Sequence, residues 1–196
     1  MNFLAHLYLS GDDNEIKIGN FIADSVKGSS HQNYQPKIQQ GILIHRKIDE
    51  YTDKHQITKD LSGLFKKNYK RHAGIVLDVV YDHFLSYNWI KYSKITLPVY
   101  INNCYKLLLK NYFILPLQVK NFLPIMITHN RLLSYSRIEG LEKALELMSK
   151  YTSLPAESNY AIEVLNANYQ YINTQFLSFF DDLIIHVSKE MKIYQG

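Results

Sequence analysis

Hydrophobic positions along this chain recur with the period of an α-helix, not with the alternation that is typical of β-strands. No Asn-Gly or Asp-Gly pair, a common sign of a β-hairpin, separates the periodic segments. The pattern predicts helices near residues 15–28, 36–54, 57–68, 71–92, 97–112, 117–134, 138–150 and 156–192. We therefore predict an all-α fold, a single-domain helical bundle that spans residues 1–196.

Glycine and proline indicate where the predicted helices begin and end. Gly28 should end the first helix and Pro36 should open the second, because glycine favours the position after a helix and proline its first turn. A proline also breaks a helix, since it lacks the backbone N–H and clashes with the preceding turn. Other starts or breaks are expected at Pro98, Pro116, Pro124 and Pro155.

Composition narrows the class of protein. The chain is 46% apolar and 20% charged, which is an ordinary globular balance. Its lone cysteine, Cys104, cannot form an internal disulfide, and a small buried hydrophobe is its simplest role. Residues 1–10 lack the basic start of a signal peptide, and no apolar run approaches the ~18 residues that suggest a membrane span. We expect a cytoplasmic protein without a membrane partner.

The charge of the chain permits an acidic partner without demanding one. The formal net charge is +4, and complementary charge speeds the encounter of two proteins. Lysines are scattered apart from short clusters such as Lys66-Lys67, so nucleic acid is not an expected partner.

One predicted helix carries an imidazole and a carboxylate on an apolar stripe. Ile38, Ile42, His45 and Asp49 follow the spacing of a single helical face. His45 and Asp49 should therefore face inward, where each needs a partner to offset the cost of burial. A hydrogen bond between the two would satisfy both. Metal ligation, with nearby carboxylates orienting the imidazole, is the alternative.

A second predicted helix is apolar nearly all round and still carries two carboxylates and an imidazole. Asp78 and Asp82 share one face, and His83 lies about 100° away around the axis. Two carboxylates on a buried face repel each other, and a divalent cation would remove that penalty. Alternatively, one aspartate caps a neighbouring helix or pairs with Arg46 or Arg71.

Two further residues near the start of the chain are candidates. Asp24 stands in apolar company and is either a further ligand or a solvent-facing carboxylate beside Lys27. His6 is a weaker candidate for a ligand. A group that supports the ligands, or a core histidine with satisfied hydrogen bonds, is the preferred interpretation.

These residue types favour a particular chemistry. Mixed imidazole and carboxylate ligands suit Mn²⁺, Fe, Zn²⁺ or Mg²⁺, and such a metal activates water and binds phosphoryl oxygens. Arg46, Lys27 and Arg71 are candidate phosphate contacts, although exposed solubilising charges would look the same.

Four ordered blocks of residues stand in the first 90 or so positions. The blocks are Asn2–Leu7; Gly19-Asn20-Phe21 with Asp24 and Lys27-Gly28; Gly41-Ile42 with His45-Arg46, Ile48-Asp49 and Thr52-Asp53; and Leu77-Asp78 with Asp82–Leu85 and Trp89. In order and spacing, and in chain length, they resemble the acyl carrier protein phosphodiesterase family. That family is similar to the HD-type phosphohydrolases in a noncanonical form, and here the helix carries Asp82-His83 in the reverse of the usual His-Asp order.

The resemblance implies an HD-domain-like fold and hydrolysis of the phosphodiester that joins 4′-phosphopantetheine to a serine of holo-acyl carrier protein. It also implies a divalent metal, with Mn²⁺ favoured. The implied metal ligands are Asp24, His45, Asp82 and His83. Asp49 and Asp78 would support the ligands or act as general base, and Arg46 would contact the phosphate.

Acyl carrier proteins are acidic, so a basic surface should receive one. Lys66, Lys67, Lys70 and Arg71 are candidates for that surface, and a solvated helix face is an equal alternative. Two rival functions stay open. One is an HD-type phosphohydrolase for a nucleotide or another small phosphate ester, and the other is a helical module that binds carrier proteins without catalysis. The oligomeric state does not follow from the sequence.

Overall fold

The structure, a computed structural model, describes residues 1–193, and within that range its regular elements are all helices, with no β-strand. This confirms the predicted all-α fold. Four short 3-10 turns, Ala23–Ser25, Gly28–Asn33, Lys70–His72 and Tyr112–Ile114, connect some of the helices. The helices are α1 (Phe3–Leu9), α2 (Asn14–Ile22), α3 (Pro36–Lys54), α4 (Gln56–Tyr69), α5 (Ala73–Tyr87), α6 (Trp89–Tyr92), α7 (Leu97–Lys110), α8 (Leu117–Thr128), α9 (Arg131–Ser134), α10 (Ile138–Tyr151), α11 (Ser158–Ala167) and α12 (Tyr169–Ile193).

Predicted and observed boundaries agree best for α3, which begins at Pro36 as expected. Three long predicted segments are each divided in two. Asn88 separates α5 from α6, Asn168 separates α11 from α12, and Asn130 adopts a left-handed conformation (φ +43°) between α8 and α9. Helix α1 was not predicted at all.

Two expected helix ends differ from the structure. Gly28 does not end the first predicted helix, because α2 stops at Ile22 and the chain tightens into the 3-10 turn Ala23–Ser25. Gly28 instead has φ +55° and opens the next 3-10 turn. Pro124 lies inside α8 and does not break it.

Helices α2 and α3 cross at two glycines that allow their backbones to touch. A Cβ atom on Gly19 would collide with the Ile38 carbonyl group, and one on Gly41 would collide with the Ile16 carbonyl oxygen. Only glycine permits this approach. The close packing places the C-terminal half of α2 directly against the part of α3 that carries the predicted metal-binding residues.

Helix α5 lies at the centre of the fold and packs against α1, α4, α10 and α12. Most of its residues are buried, in keeping with its apolar composition. Tyr81 stacks on Phe179 of α12 with ring centroids 4.9 Å apart, and Phe84 stacks on Phe176. This aromatic core fixes α5 while the helix presents polar groups towards α1. Among residues 1–193, no helix combines the length and hydropathy that crossing a bilayer requires.

Candidate metal centre

Two histidines and an aspartate meet where α1 packs on α3. His6 of α1 and His45 and Asp49 of α3 each offer a ligand atom, and these atoms lie within 4.8 Å of one another. The Asp49 carboxylate joins the two rings, with Oδ1 3.2 Å from His6 Nε2 and Oδ2 3.0 Å from His45 Nε2. The imidazole rings stack with centroids 3.9 Å apart. We call these three residues the metal-centre group.

The orientation of His45 is fixed by Asn20, a buried residue of a family block to which the sequence assigned no role. His45 Nδ1 lies 2.8 Å from the Asn20 carbonyl oxygen and 3.1 Å from its Oδ1, so Nδ1–H donates there and Nε2 faces the carboxylates. Asn20 also donates from Nδ2 to the His6 carbonyl oxygen and to Ser10 Oγ. A histidine held through its second nitrogen is typical of a metal ligand. Asn20 thus links α1, α2 and α3 behind the metal-centre group.

Asp24 approaches the same group from its open side. It lies in the 3-10 turn after α2, with Oδ1 3.2 Å from His45 Nε2, and most of its side chain is exposed. The hydrogen bond with His45 lowers the pKa of Asp24 despite partial burial. An ionised, accessible carboxylate here could complete a ligand set with the three residues of the metal-centre group.

Charge coupling within the group is strong. Burial lowers the pKa of His45, but the hydrogen bonds and charges of Asp24 and Asp49 outweigh it and raise that pKa to about 9. Burial, together with the neighbouring His45 charge, lowers the pKa of His6 to about 4. Burial would raise the pKa of Asp49, but its hydrogen bonds to both histidines hold that pKa well below its usual range. The group thus keeps an anionic carboxylate between the neutral ring of His6 and the protonated ring of His45.

Asp78 lies beside the group without belonging to it. Its Oδ1 is 3.0 Å from the Met1 amino nitrogen, which in turn is 3.4 Å from Asp49 Oδ1. Burial raises the pKa of Asp78, and the positive charge on Met1 opposes this. Asp78 and Asp49 therefore share the positive charge of the Met1 amino group.

The structure gives Asp82 a different environment from the one implied by the resemblance. Asp82 is fully buried and accepts hydrogen bonds from the backbone N–H groups of Leu4 (2.9 Å) and Ala5 (3.1 Å). It caps the start of α1, which is the alternative that the sequence left open. Burial raises the pKa of Asp82 to about 7, against the two backbone hydrogen bonds.

His83 points away from the metal-centre group. Its Nδ1 lies 2.8 Å from the Tyr135 carbonyl oxygen and its Nε2 lies 2.8 Å from the Tyr169 hydroxyl oxygen. Both ring nitrogens therefore have partners between α5 and the second half of the chain. The structure gathers His6 and Asp49 with His45 and Asp24, and it does not bring Asp82 or His83 to them.

The three candidate phosphate contacts lie in different places. Arg46 donates from Nη2 to the carbonyl oxygens of Val26 (3.3 Å) and Gly28 (3.0 Å), so it anchors the segment after α2. Lys27 is exposed within that segment. Arg71 is exposed in the turn Lys70–His72, and the described residues show no ion pair between it and the metal-centre group.

The donors present fit a divalent metal. Two imidazoles and two carboxylates form a hard-to-borderline set suited to Mn²⁺, Fe²⁺ or Zn²⁺. The contact of His45 Nδ1 with Asn20 directs its Nε2 towards the carboxylates. His6 Nε2 lies 3.2 Å from Asp49 Oδ1 and so faces the same group. The all-helical fold and this site define a class, that of helical proteins with a buried imidazole–carboxylate centre.

Comparison with known proteins identifies the family to which the chain belongs. Residues 1–183 match the family model described as acyl carrier protein phosphodiesterase, and the chain belongs to this family. Relatives that carry the same name include one from Yersinia enterocolitica, 32% identical over 92% of this chain and 94% of its own. Another, from Yersinia pestis, is 31% identical over 94% of this chain and 96% of its own. No solved structure matches significantly, so the HD-domain-like architecture stays a prediction.

Proposed function

We propose that this protein is a metal-dependent phosphodiesterase that converts holo-acyl carrier protein into apo-acyl carrier protein and free 4′-phosphopantetheine. The observation that carries the proposal is the metal-centre group, three ligand atoms within 4.8 Å, in a chain whose family match spans residues 1–183. The Yersinia relatives bear the name of this activity. We place the reaction in the cytoplasm, as expected from the sequence.

The proposed ligands are His6, His45, Asp49 and Asp24. This set differs from the one implied by the resemblance, because Asp82 and His83 are engaged elsewhere in the fold. Mn²⁺ is our preferred metal on the strength of the resemblance, and the donor types support it. Such a metal activates a water molecule and neutralises phosphoryl oxygen charge.

The remaining residues hold the ligands in place, accept a proton or contact the phosphate. Asn20 holds His45 through Nδ1, and Asp82 holds α1, and with it His6, through the Leu4 and Ala5 N–H groups. Asp78 is the candidate proton acceptor, since its partly buried carboxylate lies beside the group and burial raises its pKa. Lys27 is the candidate phosphate contact, while Arg46 keeps the Lys27 segment in place.

The proposed reaction balances as a hydrolysis. A water oxygen forms a bond to phosphorus, and the bond between phosphorus and the serine oxygen of the carrier breaks. The serine oxygen takes up a proton, which restores the hydroxyl group, and the new phosphate monoester stays on the pantetheine.

Intact mass spectrometry of holo-acyl carrier protein incubated with this protein tests the proposal. With Mn²⁺, the carrier should lose the mass of the phosphopantetheine group, and a chelator should prevent the loss. No loss from a folded, metal-loaded protein would favour a phosphohydrolase for small esters. No loss from a protein that binds no metal would favour the binding module.

A further inference from the structure

A cavity of about 670 Å³ opens between the segment that follows α2 and the start of α8. One wall is formed by the two 3-10 turns around Gly28 and the other by the first residues of α8. The residues that define it include Val26, Lys27, Ser30, Tyr34, Pro116 and Leu117.

The cavity and the metal centre share a short stretch of backbone. Asp24, whose Oδ1 lies 3.2 Å from His45 Nε2, is followed directly by Ser25 and Val26, which line the cavity. Arg46, next to His45 on α3, donates to the Val26 carbonyl oxygen and holds this stretch in place. A substrate with its phosphorus at the metal centre would therefore have its adjoining atoms near the mouth of the cavity.

The lining combines apolar surface with free polar groups. Val26, Pro116 and Leu117 supply apolar atoms, and the side chains of Ser30 and Asn33 are exposed at the opening. A pantetheine chain has the same mixture, with a dimethyl group, a hydroxyl group and two amides that follow one another from the phosphate. Concave sites that combine apolar walls with a few polar groups are typical of small-molecule binding.

We propose that this cavity binds the pantetheine arm of the substrate. The inference rests on the proposed function, which supplies the phosphodiester to which that arm is attached. The arm would place its dimethyl group against Val26 and Leu117 and its amides at Ser30 and Asn33. A chain held in this way would keep the scissile phosphate at the metal centre while the carrier protein remains outside.

Binding of pantetheine itself, without phosphate and in the presence of a chelator, tests the cavity independently of metal and activity. Titration of ¹⁵N-labelled protein with pantetheine should shift the backbone amide signals of Val26, Ser30 and Leu117. Ser30→Trp, which fills the opening from an exposed position, should weaken the binding about tenfold. Ser178→Trp, on an exposed position of α12, is the matched control and should bind as the unaltered protein does.

Kinetics supply a second measurement on the metal-loaded enzyme. Leu117→Glu should lower kcat/KM for holo-acyl carrier protein about tenfold relative to kcat/KM for bis(4-nitrophenyl) phosphate, a diester without the arm, because lost substrate binding raises KM. Ile125→Glu changes another exposed apolar residue of the same helix and should leave this ratio unaltered.

The outcomes separate the two proposals. Pantetheine shifts at the cavity without cleavage of holo-carrier would support the cavity and refute the proposed function. If Ser30→Trp and Leu117→Glu each cleave holo-acyl carrier protein as fast as the unaltered protein does, the cavity inference is overturned and the proposed function stands. Absence of any shift at these amides in the unaltered protein would also overturn it.

Discussion

Single residues in this protein connect the metal centre to the fold, and Asn20 does so most directly. Its carbonyl oxygen and side chain face His45 Nδ1, while its amide nitrogen donates to the His6 carbonyl oxygen. A sequence offers one sign of such a residue, which is an amide within an otherwise buried helical run. That sign does not say which histidine the amide will hold, because the contact depends on how closely two helices approach.

Asn20→Ala removes the side-chain contact with His45 but keeps the backbone carbonyl oxygen that lies 2.8 Å from His45 Nδ1. Mn²⁺ binding should therefore weaken about tenfold, the lower end of the usual effect of losing a group that orients a metal-bound histidine. The unpaired carbonyl of His6 should also lower the free energy of unfolding by about 1–3 kcal/mol. Calorimetric titration with Mn²⁺ and urea unfolding measure the two effects. Asn166→Ala, at an exposed position on α11, is the control. Unaltered metal affinity in Asn20→Ala would show that the Asn20 side chain does not support the site.

Asp82 and Asp49 should respond differently to substitution. Asp82→Ala leaves the buried N–H groups of Leu4 and Ala5 without an acceptor, which should cost about 1–3 kcal/mol of stability in chelator. Asp49→Asn should instead abolish Mn²⁺ binding, because it removes the carboxylate that lies between His6 and His45.

Urea unfolding without metal and calorimetric titration with metal separate these effects. If Asp82→Ala lost metal binding at unchanged metal-free stability, Asp82 would be a ligand, as the family resemblance implied.

At the scale of the elements, helix packing decides what the sequence could and could not reveal. Hydrophobic periodicity was sufficient to predict α3 and α5, because long apolar stripes mark their buried faces. It also placed His45 and Asp49 on one face of α3. It missed α1, which is only seven residues long and owes its start to a carboxylate of α5. Periodicity could not indicate the partners of His83 for a similar reason, since Tyr135 and Tyr169 lie more than 50 residues further along the chain.

The contact between α2 and α3 should tolerate no side chain at Gly41. Gly41→Ala places a Cβ against the Ile16 carbonyl group, so the helices must separate, at a cost typical of overpacking of about 1–3 kcal/mol. Gly63→Ala in α4 meets only open space and should instead stabilise the protein by about 0.5–1 kcal/mol.

Thermal unfolding of the two variants gives the comparison. Mn²⁺ affinity should fall in Gly41→Ala alone, because the contact of Asn20 with His45 crosses this helix pair. Equal stability of the two variants would contradict the role given to Gly41.

For the whole molecule, the distribution of charge bears on the choice of substrate. Lys66, Lys67, Lys70 and Arg71 are all exposed at the end of α4 and in the turn that follows it. The structure therefore leaves these four side chains accessible to an acidic protein. The cavity proposed for the pantetheine arm is formed by other elements, which include the start of α8.

Lys66→Glu combined with Lys67→Glu should lower kcat/KM for holo-acyl carrier protein about tenfold at low salt, because the rate of encounter depends on complementary charge. The loss should shrink as salt is added, since exposed charges are screened. Lys189→Glu with Lys192→Glu, an exposed pair on α12, makes the same change in net charge elsewhere. Equal losses in the two double variants would exclude a specific docking role for the α4 lysines.

The capping of α1 by Asp82 has a consequence for protein synthesis. The ribosome releases His6 long before Asp82, so the first helix emerges with its Leu4 and Ala5 N–H groups still hydrated and His6 without a fixed position. Domains form as their N-terminal parts leave the ribosome, but this centre must wait for α5. A nascent chain should therefore assemble the proposed metal site only after α5 has emerged from the ribosome.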